Sequence, residues 1–337
     1  MWYDTDGRSF DSGEARDGPP SRPAAGKAEH KMENAMKAVQ FSEYGGPEVL
    51  KLVEIDEPHA GPGQVRIAVR AAGVNPADWK RRAGYFRDFM PLEFPYTVGF
   101  EAAGIVDEIG EGVSGVSVGD AVFGLGSGAT AEYAVLKSWA GKPEDMPFEV
   151  AGGLAVIAET AARSLDEAGA KAGDTVLLSG AAGGVGTAAI QIARARAMTV
   201  IGTASEPKHD YLRSLGAIPT TYGPGLADRV RDLAPEGVDV AIDIAGSDII
   251  PELIGIVGDA SRVLSIADFT APEQGAKFST TPQEHPERAL EEAARLYSEG
   301  ALRLKVERAF PLAQVGEAQA LSETGHVTGK IVVTVDA

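Results

Sequence analysis

The chain has 337 residues, 44% of them hydrophobic and 24% charged, which is typical of a globular protein of about two domains. The formal net charge is −18 and no segment concentrates lysine and arginine, so we expect no nucleic-acid partner. No apolar run approaches the roughly 20 residues of a membrane-spanning helix, so we expect no membrane partner. The absence of cysteine excludes disulfides, thiol chemistry and cysteine-ligated zinc, and it fits a cytoplasmic location.

Residues 1–35 are rich in Gly, Pro, Ser and Asp and show no hydrophobic periodicity. Such a segment cannot bury enough apolar surface to offset the entropy of ordering it. We therefore predict a disordered N-terminal extension, either native or added as a leader. A secretory signal is not expected, because no charged start is followed by an apolar core.

From residue 36 to residue 155, short apolar segments alternate with Gly and Pro turns. This spacing is typical of a small β-rich, barrel-like domain. A helix is predicted over 160–168, leading into the second domain. The predicted strands are 37–41, 64–72, 102–109, 121–124 and 131–135.

Residues 156–302 alternate strands with helices, which predicts a doubly wound parallel sheet. Residues 303–337 return to strand character at 331–335 and are predicted to rejoin the first domain. The strands predicted in the second domain are 175–179, 199–203, 218–221, 238–243 and 261–266. The helices predicted there are 184–196, 208–215, 225–233, 248–256 and 286–299.

The most specific motif follows the first strand of the second domain. A glycine cluster of Gly183, Gly184 and Gly186 precedes a helix of small residues. Residues 184–189 fit the dinucleotide fingerprint, with Ala189 in the third small position. Glycine permits a tight turn and lets backbone N–H groups approach a pyrophosphate at the helix N-terminus. The residues predicted to bind the cofactor here are Ala182, Gly183, Gly184 and Val185.

The residues after the second strand of this domain favour NADP(H) over NAD. An NAD-selective site carries an acidic residue there, about 20 residues past the fingerprint, whereas this chain has Ala204 or Ser205. The Ser205 hydroxyl and the Lys208 ammonium would accept a 2′-phosphate, and Tyr222 would add a phenolic hydrogen bond. Glu206 is expected to turn outward. The alternative is that Lys208 is only a solvated residue at a helix start.

Six segments in the same order match a known family: residues 44–50, 72–80, 99–104, 118–120, 182–186 and 329–333. With them, the chain from Met36 to Asp336 resembles the medium-chain dehydrogenase/reductase superfamily, in its zinc-independent NADPH:quinone oxidoreductase branch. The resemblance implies an α/β fold, with a GroES-like β-barrel catalytic domain and a Rossmann cofactor domain. It places the nicotinamide between the domains, and it implies a homodimer because the family is commonly dimeric.

The resemblance also allows a prediction about zinc binding. Zinc-dependent relatives carry Gly-His-Glu where this chain has Gly99, Phe100 and Glu101, and they carry a ligand cysteine near the position of Asn75. Phe100 replaces the histidine and the chain has no cysteine, so the three protein ligands of a tetrahedral zinc are missing. We therefore expect no metal site.

Hydride transfer from NADPH to a quinone or an enone needs positioning and a group that stabilises developing oxygen charge. The resemblance places Asn75 beside the nicotinamide ribose and brings Lys80 to the same place. Tyr85, on the loop that follows, is expected to line the acceptor pocket. The alternative is that Lys80 is a surface residue in a basic cluster with Arg81 and Arg82. No residue stands out as an obligatory general acid, and water could deliver the proton.

Other cofactor contacts are implied by the resemblance alone. Thr160 is expected to hydrogen-bond the nicotinamide side of the cofactor. Glu159, where the family has an uncharged residue, either makes the cleft more polar or points to solvent. Backbone contacts to the ribose and carboxamide are expected at strand ends. The residues that complete the site are Ala245, Gly246, Ser265, Ile266, Ala267 and Lys330.

The leading hypothesis is therefore an enzyme that reduces a small-molecule quinone with NADPH. The runner-up is an NADPH-dependent reductase of the C=C bond of enones or 2-alkenals. Sequence cannot separate the two, because the chemistry at the nicotinamide is the same and the acceptor's shape decides. A third hypothesis from a different class is a non-catalytic NADPH-binding protein that kept the fold as a sensor or scaffold.

Overall fold

The computed structural model of the chain describes residues 35–280 and 282–335. The predicted N-terminal extension falls outside these residues except for Ala35, the first residue of strand β1. The N-terminal elements are, in chain order, β1 Ala35–Phe41, β2 Lys51–Asp56, β3 Val65–Val74, α1 Pro76–Arg82, β4 Tyr96–Thr97, β5 Glu101–Ile109, β6 Ala121–Ser127, β7 Tyr133–Gly141 and α2 Phe148–Gly152.

Strand β3 is the centre of the N-terminal sheet. It pairs antiparallel with β5 along most of its length and with β7 through Val65–Ala68, while β6 joins β5 to β7. These strands therefore close into a ring, with Ile67 and Leu136 fully buried in the core. The strands approach closely at Gly104, where a Cβ would lie 2.1 Å from the carbonyl oxygen of Ala68. The prediction of a barrel-like domain is confirmed.

The middle of the chain forms a parallel sheet with helices packed on it. Its elements are α3 Ala155–Glu167, β8 Thr175–Ser179, α4 Gly184–Ala195, β9 Thr199–Thr203, α5 His209–Leu215, β10 Ile218–Thr220, α6 Leu226–Leu233, β11 Val240–Asp243, α7 Ile250–Val257, β12 Val263–Ser265, β13 Lys277–Phe278 and α8 Glu287–Ser298. A large apolar cluster lies between this sheet and helices α3, α4 and α8, with Leu165, Leu178, Ile190 and Leu290 fully buried in it.

The strand order of this sheet is β10-β9-β8-β11-β12-β13, which confirms the predicted doubly wound arrangement. The order reverses between β8 and β11, so the topological switch point lies between these strands. In open parallel sheets, ligands bind at the carboxyl ends of the strands at this point. The loops after β8 and β11 therefore mark the expected cofactor edge.

The C-terminal elements are β14 Val306–Pro311, α9 Val315–Glu323 and β15 Lys330–Thr334. Strand β15 pairs antiparallel with β3, and β14 pairs parallel with β15. Strands β14 and β15 thus extend the sheet that β3 belongs to. Among the described residues, no helix is long and apolar enough to cross a membrane.

The basic cluster suggested at residues 80–82 is only partly a surface feature. Arg82 is fully buried and donates to the Gln319 side-chain oxygen at 2.8 Å and to the Gly45 carbonyl at 2.7 Å. Its guanidinium therefore fixes the end of α1 against α9. This anchor holds in place the helix that carries Lys80.

Candidate active site

The glycine turn after β8 has the shape that the sequence predicts. Gly180 adopts a left-handed conformation (φ +73°), and Gly183 is the N-cap of α4. A Cβ on Gly186 would lie 2.4 Å from the Ala181 carbonyl oxygen. Gly186 therefore lets the helix approach the turn, and Ala189, the third small position of the fingerprint, is 1% exposed in the core.

The turn forms a cradle for an anion. The Thr187 N–H donates to the Gly183 carbonyl at 2.9 Å, so the N–H groups of the first helical residues have no carbonyl ahead of them in the helix. A Cβ on Gly183 would have only the Gly180 carbonyl oxygen within 4 Å, at 3.7 Å, so the space over the turn is open. A helix N-terminus of this kind favours a pyrophosphate. The predicted residues that the turn brings together are Ala182, Gly183, Gly184 and Val185.

Asp243, the last residue of β11, organises the strand ends at the switch point. Its fully buried carboxylate accepts hydrogen bonds from the N–H groups of Ala245 and Gly246 at 3.1 and 3.0 Å. It also accepts from the hydroxyls of Ser179 and Ser265 at 3.0 and 2.8 Å. Sequence reasoning missed Asp243. The available signal was a polar residue at the carboxyl end of three neighbouring predicted strands.

Ser265 shapes the loop that follows β12. Its hydroxyl oxygen accepts from the N–H groups of Ala267 and Asp268 at 3.1 and 2.8 Å while it donates to Asp243. The side chain is fully buried, so it has no free surface for a ligand. A ligand at this strand end would therefore meet the backbone of Ile266 and Ala267, the kind of contact that was expected there.

Asn75, Glu101 and Lys330 form a buried cluster, which we call the Lys330 cluster. The Asn75 amide donates to Glu101 at 2.9 Å and its oxygen accepts from the Lys330 ammonium at 2.5 Å. The ammonium lies 2.8 Å from the Glu101 carboxylate. All three side chains are at most 4% exposed. The structure thus joins two predicted residues through Glu101, which the sequence analysis used only as part of a motif.

The Lys330 cluster sits where the two domains meet. The second Glu101 oxygen accepts from the N–H of Val156 at 2.7 Å, at the start of α3. The Gly329 N–H donates to the Ala182 carbonyl at 2.9 Å, so the start of β15 is bonded to the glycine turn. Lys330 therefore lies next to the predicted pyrophosphate cradle, but its ammonium is directed to protein partners. Its contact with a cofactor stays a prediction.

Asp78 is a buried acid beside this cluster. Its carboxylate accepts from the N–H of Asn75 at 2.7 Å. Burial raises the pKa of Asp78 to about 7, although the Asn75 hydrogen bond and the charge of Lys330 oppose the rise. Glu101 adds to the rise by like-charge repulsion. Asp78 therefore exchanges a proton near neutral pH, a property that the sequence did not indicate.

Lys80 on α1 lies within electrostatic range of Asp243, at the carboxyl end of β11. Burial lowers the pKa of the Lys80 ammonium, and the negative charge of Asp243 opposes that change. Within the described ranges, Lys80 has no ion-pair partner, and its nitrogen lies 5.7 Å from the centre of the Trp79 ring. Tyr85 is 61% exposed and meets Trp79 edge-on at 5.6 Å. Lys80 is thus half-buried, and its part in the reaction stays a prediction.

The residues predicted to bind a 2′-phosphate lie in two loops. Lys208 ends a short 3₁₀ turn, Glu206–Lys208, and its ammonium donates to the carbonyls of His326 and Val327 at 2.8 and 3.3 Å. Burial lowers the pKa of Lys208, so it is not simply solvated. An ammonium has three N–H donors, and these two carbonyls leave one. Glu206 is exposed, as expected. Ser205 is partly exposed and Tyr222 is largely exposed.

Glu159 corrects one expectation. It does not point to solvent, because it is 4% exposed and pairs with Arg163 at 2.8 Å. Arg163 in turn donates to the hydroxyl of Ser279, just after β13. The carboxylate is thus neutralised within the protein. The Thr160 hydroxyl lies 3.5 Å from Glu159, and its contact with a nicotinamide stays a prediction.

The part of the chain that the structure describes contains no group of three or more His, Cys, Asp or Glu side chains placed to hold a metal ion. Phe100 occupies the position where the resemblance would have a ligand histidine. The Arg81 guanidinium lies 5.0 Å from its ring centre.

Comparison with known proteins agrees with this geometry. The alcohol dehydrogenase GroES-like domain matches residues 61–145, and a zinc-binding dehydrogenase family matches residues 222–333. The chloroplastic NADPH-dependent alkenal/one oxidoreductase of Arabidopsis thaliana is 33% identical, over 91% of this chain and 81% of that protein. The quinone oxidoreductase of Lama guanicoe is also 33% identical, over 88% of this chain and 97% of that protein. The structure of the Coxiella burnetii quinone oxidoreductase superposes with a TM-score of 0.74, at 32% identity, over 90% and 100%.

Removing the cation of the Lys330 cluster should destabilise the protein. We expect K330M to lower the free energy of unfolding by about 3–5 kcal/mol, because Glu101 would stay buried without its partner. The double variant E101Q/K330M should recover more than half of this loss, since the introduced amide can still accept from Val156 and donate to Asn75. Chemical denaturation of the four proteins of this cycle measures the coupling. Equal stability of K330M and the double variant would contradict it.

Asp78 should make the stability of the wild type fall between about pH 4 and pH 7. Its pKa is raised on folding, so the folded state holds the proton more tightly. The stabilisation is complete below the unfolded pKa and is lost as the pH rises through the folded value, by up to about 1.4 kcal/mol per pH unit. D78N should lack this slope in urea titrations, whereas D88N, at a 90% exposed side chain, should keep it. Parallel profiles for wild type and D78N would show that Asp78 is ionised throughout.

Proposed function

The chain belongs to the medium-chain dehydrogenase/reductase superfamily, among its quinone oxidoreductases, and on this basis we propose that it transfers hydride from NADPH to a quinone. The observation that carries the proposal is the position of Lys80. This half-buried cation lacks an ion-pair partner among the described residues and is close enough to Asp243, the last residue of β11, to be affected by its charge. A desolvated cation at that place suits an acceptor whose oxygen becomes negative.

The residues present fit NADPH. The glycine turn would hold the pyrophosphate, and the last free N–H of Lys208 with Ser205 and Tyr222 would hold the 2′-phosphate. The nicotinamide end would be completed by Thr160, by Lys330 and by the loops after β11 and β12. These loops would contribute backbone groups of Ala245, Gly246, Ile266 and Ala267. When bound, NADPH supplies the hydride, so the chain contributes binding, orientation and charge.

Lys80 and Asn75 have different parts in this proposal. The Lys80 ammonium donates a hydrogen bond to the acceptor's carbonyl oxygen and stabilises the charge that develops there. Asn75 is a positioning residue, because its amide is already bonded to Glu101 and Lys330 and is held rigidly at the start of α1. Tyr85, exposed on the following loop, lines the acceptor side.

A second candidate is reduction of the C=C bond of enones or 2-alkenals. It is favoured by the relative named alkenal/one oxidoreductase. The same residues serve both reactions, since negative charge develops on a carbonyl oxygen in each. We further propose a homodimer, which is common in this family, and a cytoplasmic location, which the absence of cysteine supports.

NADPH oxidation with para-quinones, ortho-quinones and 2-alkenals, offered in parallel, tests the proposal. We expect turnover with quinones, and we expect K80M to lower kcat about a hundredfold while the Kd for NADPH stays the same. K51M, at an exposed lysine in β2, serves as the control for a lost charge. NADPH binding without turnover of any acceptor would contradict the proposal and favour the sensor hypothesis.

The cofactor assignment has its own test in K208E. Replacing the ammonium by a carboxylate should raise the KM for NADPH by about tenfold or more through repulsion of the 2′-phosphate, and it should change the KM for NADH little. K171E makes the same charge change ahead of β8, at the opposite edge of the sheet, and should affect neither value. Equal changes in the KM for NADPH and the KM for NADH would show that Lys208 does not bind the 2′-phosphate.

A further inference from the structure

Three aromatic side chains near the candidate acceptor site are exposed. Tyr85 is 61% exposed, Phe89 is 65% exposed and Phe269 is 57% exposed. Single exposed apolar residues need no explanation, but a group of large ones marks a surface that another molecule covers. The group lies on two loops that flank the strand ends of the parallel sheet.

Two of the exposed rings, Phe89 and Phe269, belong to a chain of edge-to-face contacts that crosses from one domain to the other. Phe86 meets Phe89 at 5.8 Å, Phe89 meets Phe269 at 6.3 Å, and Phe269 meets Phe278 at 6.2 Å between ring centres. Phe86 and Phe89 follow α1 in the N-terminal domain, whereas Phe269 and Phe278 belong to the Rossmann domain. The Phe89–Phe269 pair is therefore a contact between the domains, made by two largely exposed side chains.

Both loops are fixed at their bases next to the site. The Asp268 N–H is bonded to the Ser265 hydroxyl at 2.8 Å, which places Phe269 directly after the predicted nicotinamide contacts. The Tyr85 N–H donates to the Lys80 carbonyl at 3.0 Å, and the Met90 N–H donates to the Phe86 carbonyl at 2.7 Å. The two rings are thus held at the acceptor side of the cleft, while their exposed contact can open without disturbing the core.

We propose that Phe89 and Phe269 form an aromatic gate that selects flat, ring-bearing acceptors over short-chain ones. This inference rests on the proposed function and names its substrate class. A flat ring that enters between the two side chains breaks the contact between Phe89 and Phe269 and makes one aromatic contact with each of them. The quadrupoles of the rings make such contacts favourable. A short 2-alkenal is too small to contact both rings. The gate therefore favours quinones with fused rings.

The double variant F89L/F269L tests the gate, because leucine keeps the apolar character but removes the ring. With NADPH, we expect the KM for 1,4-naphthoquinone to rise about tenfold, with kcat within about twofold of the wild type. The KM for 2-butenal and the Kd for NADPH should change less than about twofold. V118A, at a 64% exposed apolar residue in the N-terminal domain, is the matched surface control. The single variants F89L and F269L are measured alongside, so the result does not depend on the double variant.

Equal changes in KM for both acceptors, or no change for either, would overturn the gate while leaving the reductase function intact. A second readout separates the two proposals. The Kd of 1,4-naphthoquinone for the protein loaded with NADP⁺ is measured by quenching of tryptophan fluorescence. If none of the offered acceptors supports NADPH oxidation by the wild type, the proposed function fails. In that case, a Kd for 1,4-naphthoquinone that is about tenfold weaker in F89L/F269L than in the wild type still supports the gate. An unchanged Kd in that case overturns the gate as well.

Discussion

The ion pair between Lys330 and Glu101 is the interaction on which the junction of the two domains depends. Two charges that are at most 4% exposed have lost their hydration, so they need good geometry and a full set of hydrogen bonds. Asn75 and the Val156 N–H complete that set. Because these groups come from β15, β5, α3 and the start of α1, moving any one element would leave a buried charge unpaired. The pair therefore sets how the barrel meets the cofactor domain.

Two other buried carboxylates are also satisfied within the protein. Asp243 is satisfied by two serine hydroxyls and two backbone N–H groups, and Glu159 is paired with Arg163. Lys80 differs, because it is partly desolvated and, among the residues that the structure describes, lacks a paired carboxylate. A cation whose charge is not already neutralised can stabilise charge on a substrate.

The cofactor side and the acceptor side of the cleft are built differently. The cofactor side is made mainly of backbone, at the glycine turn and at strand ends held by Asp243 and Ser265. Contacts of this kind depend little on which side chains surround them. The proposed acceptor side combines Lys80 on α1 with side chains on the two loops around Phe89 and Phe269, and loops tolerate change better than the elements they connect. One scaffold can therefore keep its cofactor while its acceptor varies.

Local sequence determined much of the fold. A few adjacent residues dictate the backbone of the glycine turn, of strands β8 and β9 and of helix α5. These elements could therefore be predicted from the sequence. Chain length and the alternation of strands, turns and helices predicted two domains, and the strand character of residues 331–335 predicted their return to the first domain. Strands β2 and β13 were not predicted, since β2 is largely exposed and β13 has only two residues. Lys208 could be proposed from its residue type and its position after the second strand, whereas Asn75 and Lys80 were proposed from the family resemblance.

Tertiary structure decided what these residues touch. Asn75 and Lys330 are 255 positions apart in the chain, and only the folded sheet brings them to one carboxylate. The raised pKa of Asp78, the inward pairing of Glu159 and the ring contacts between the domains have the same origin. Burial and charge proximity depend on distances in space, which residue spacing along the chain does not encode. The sequence by itself therefore determined the kind of cofactor turn and the candidate residues, whereas packing decided which charges are neutralised and which remains available.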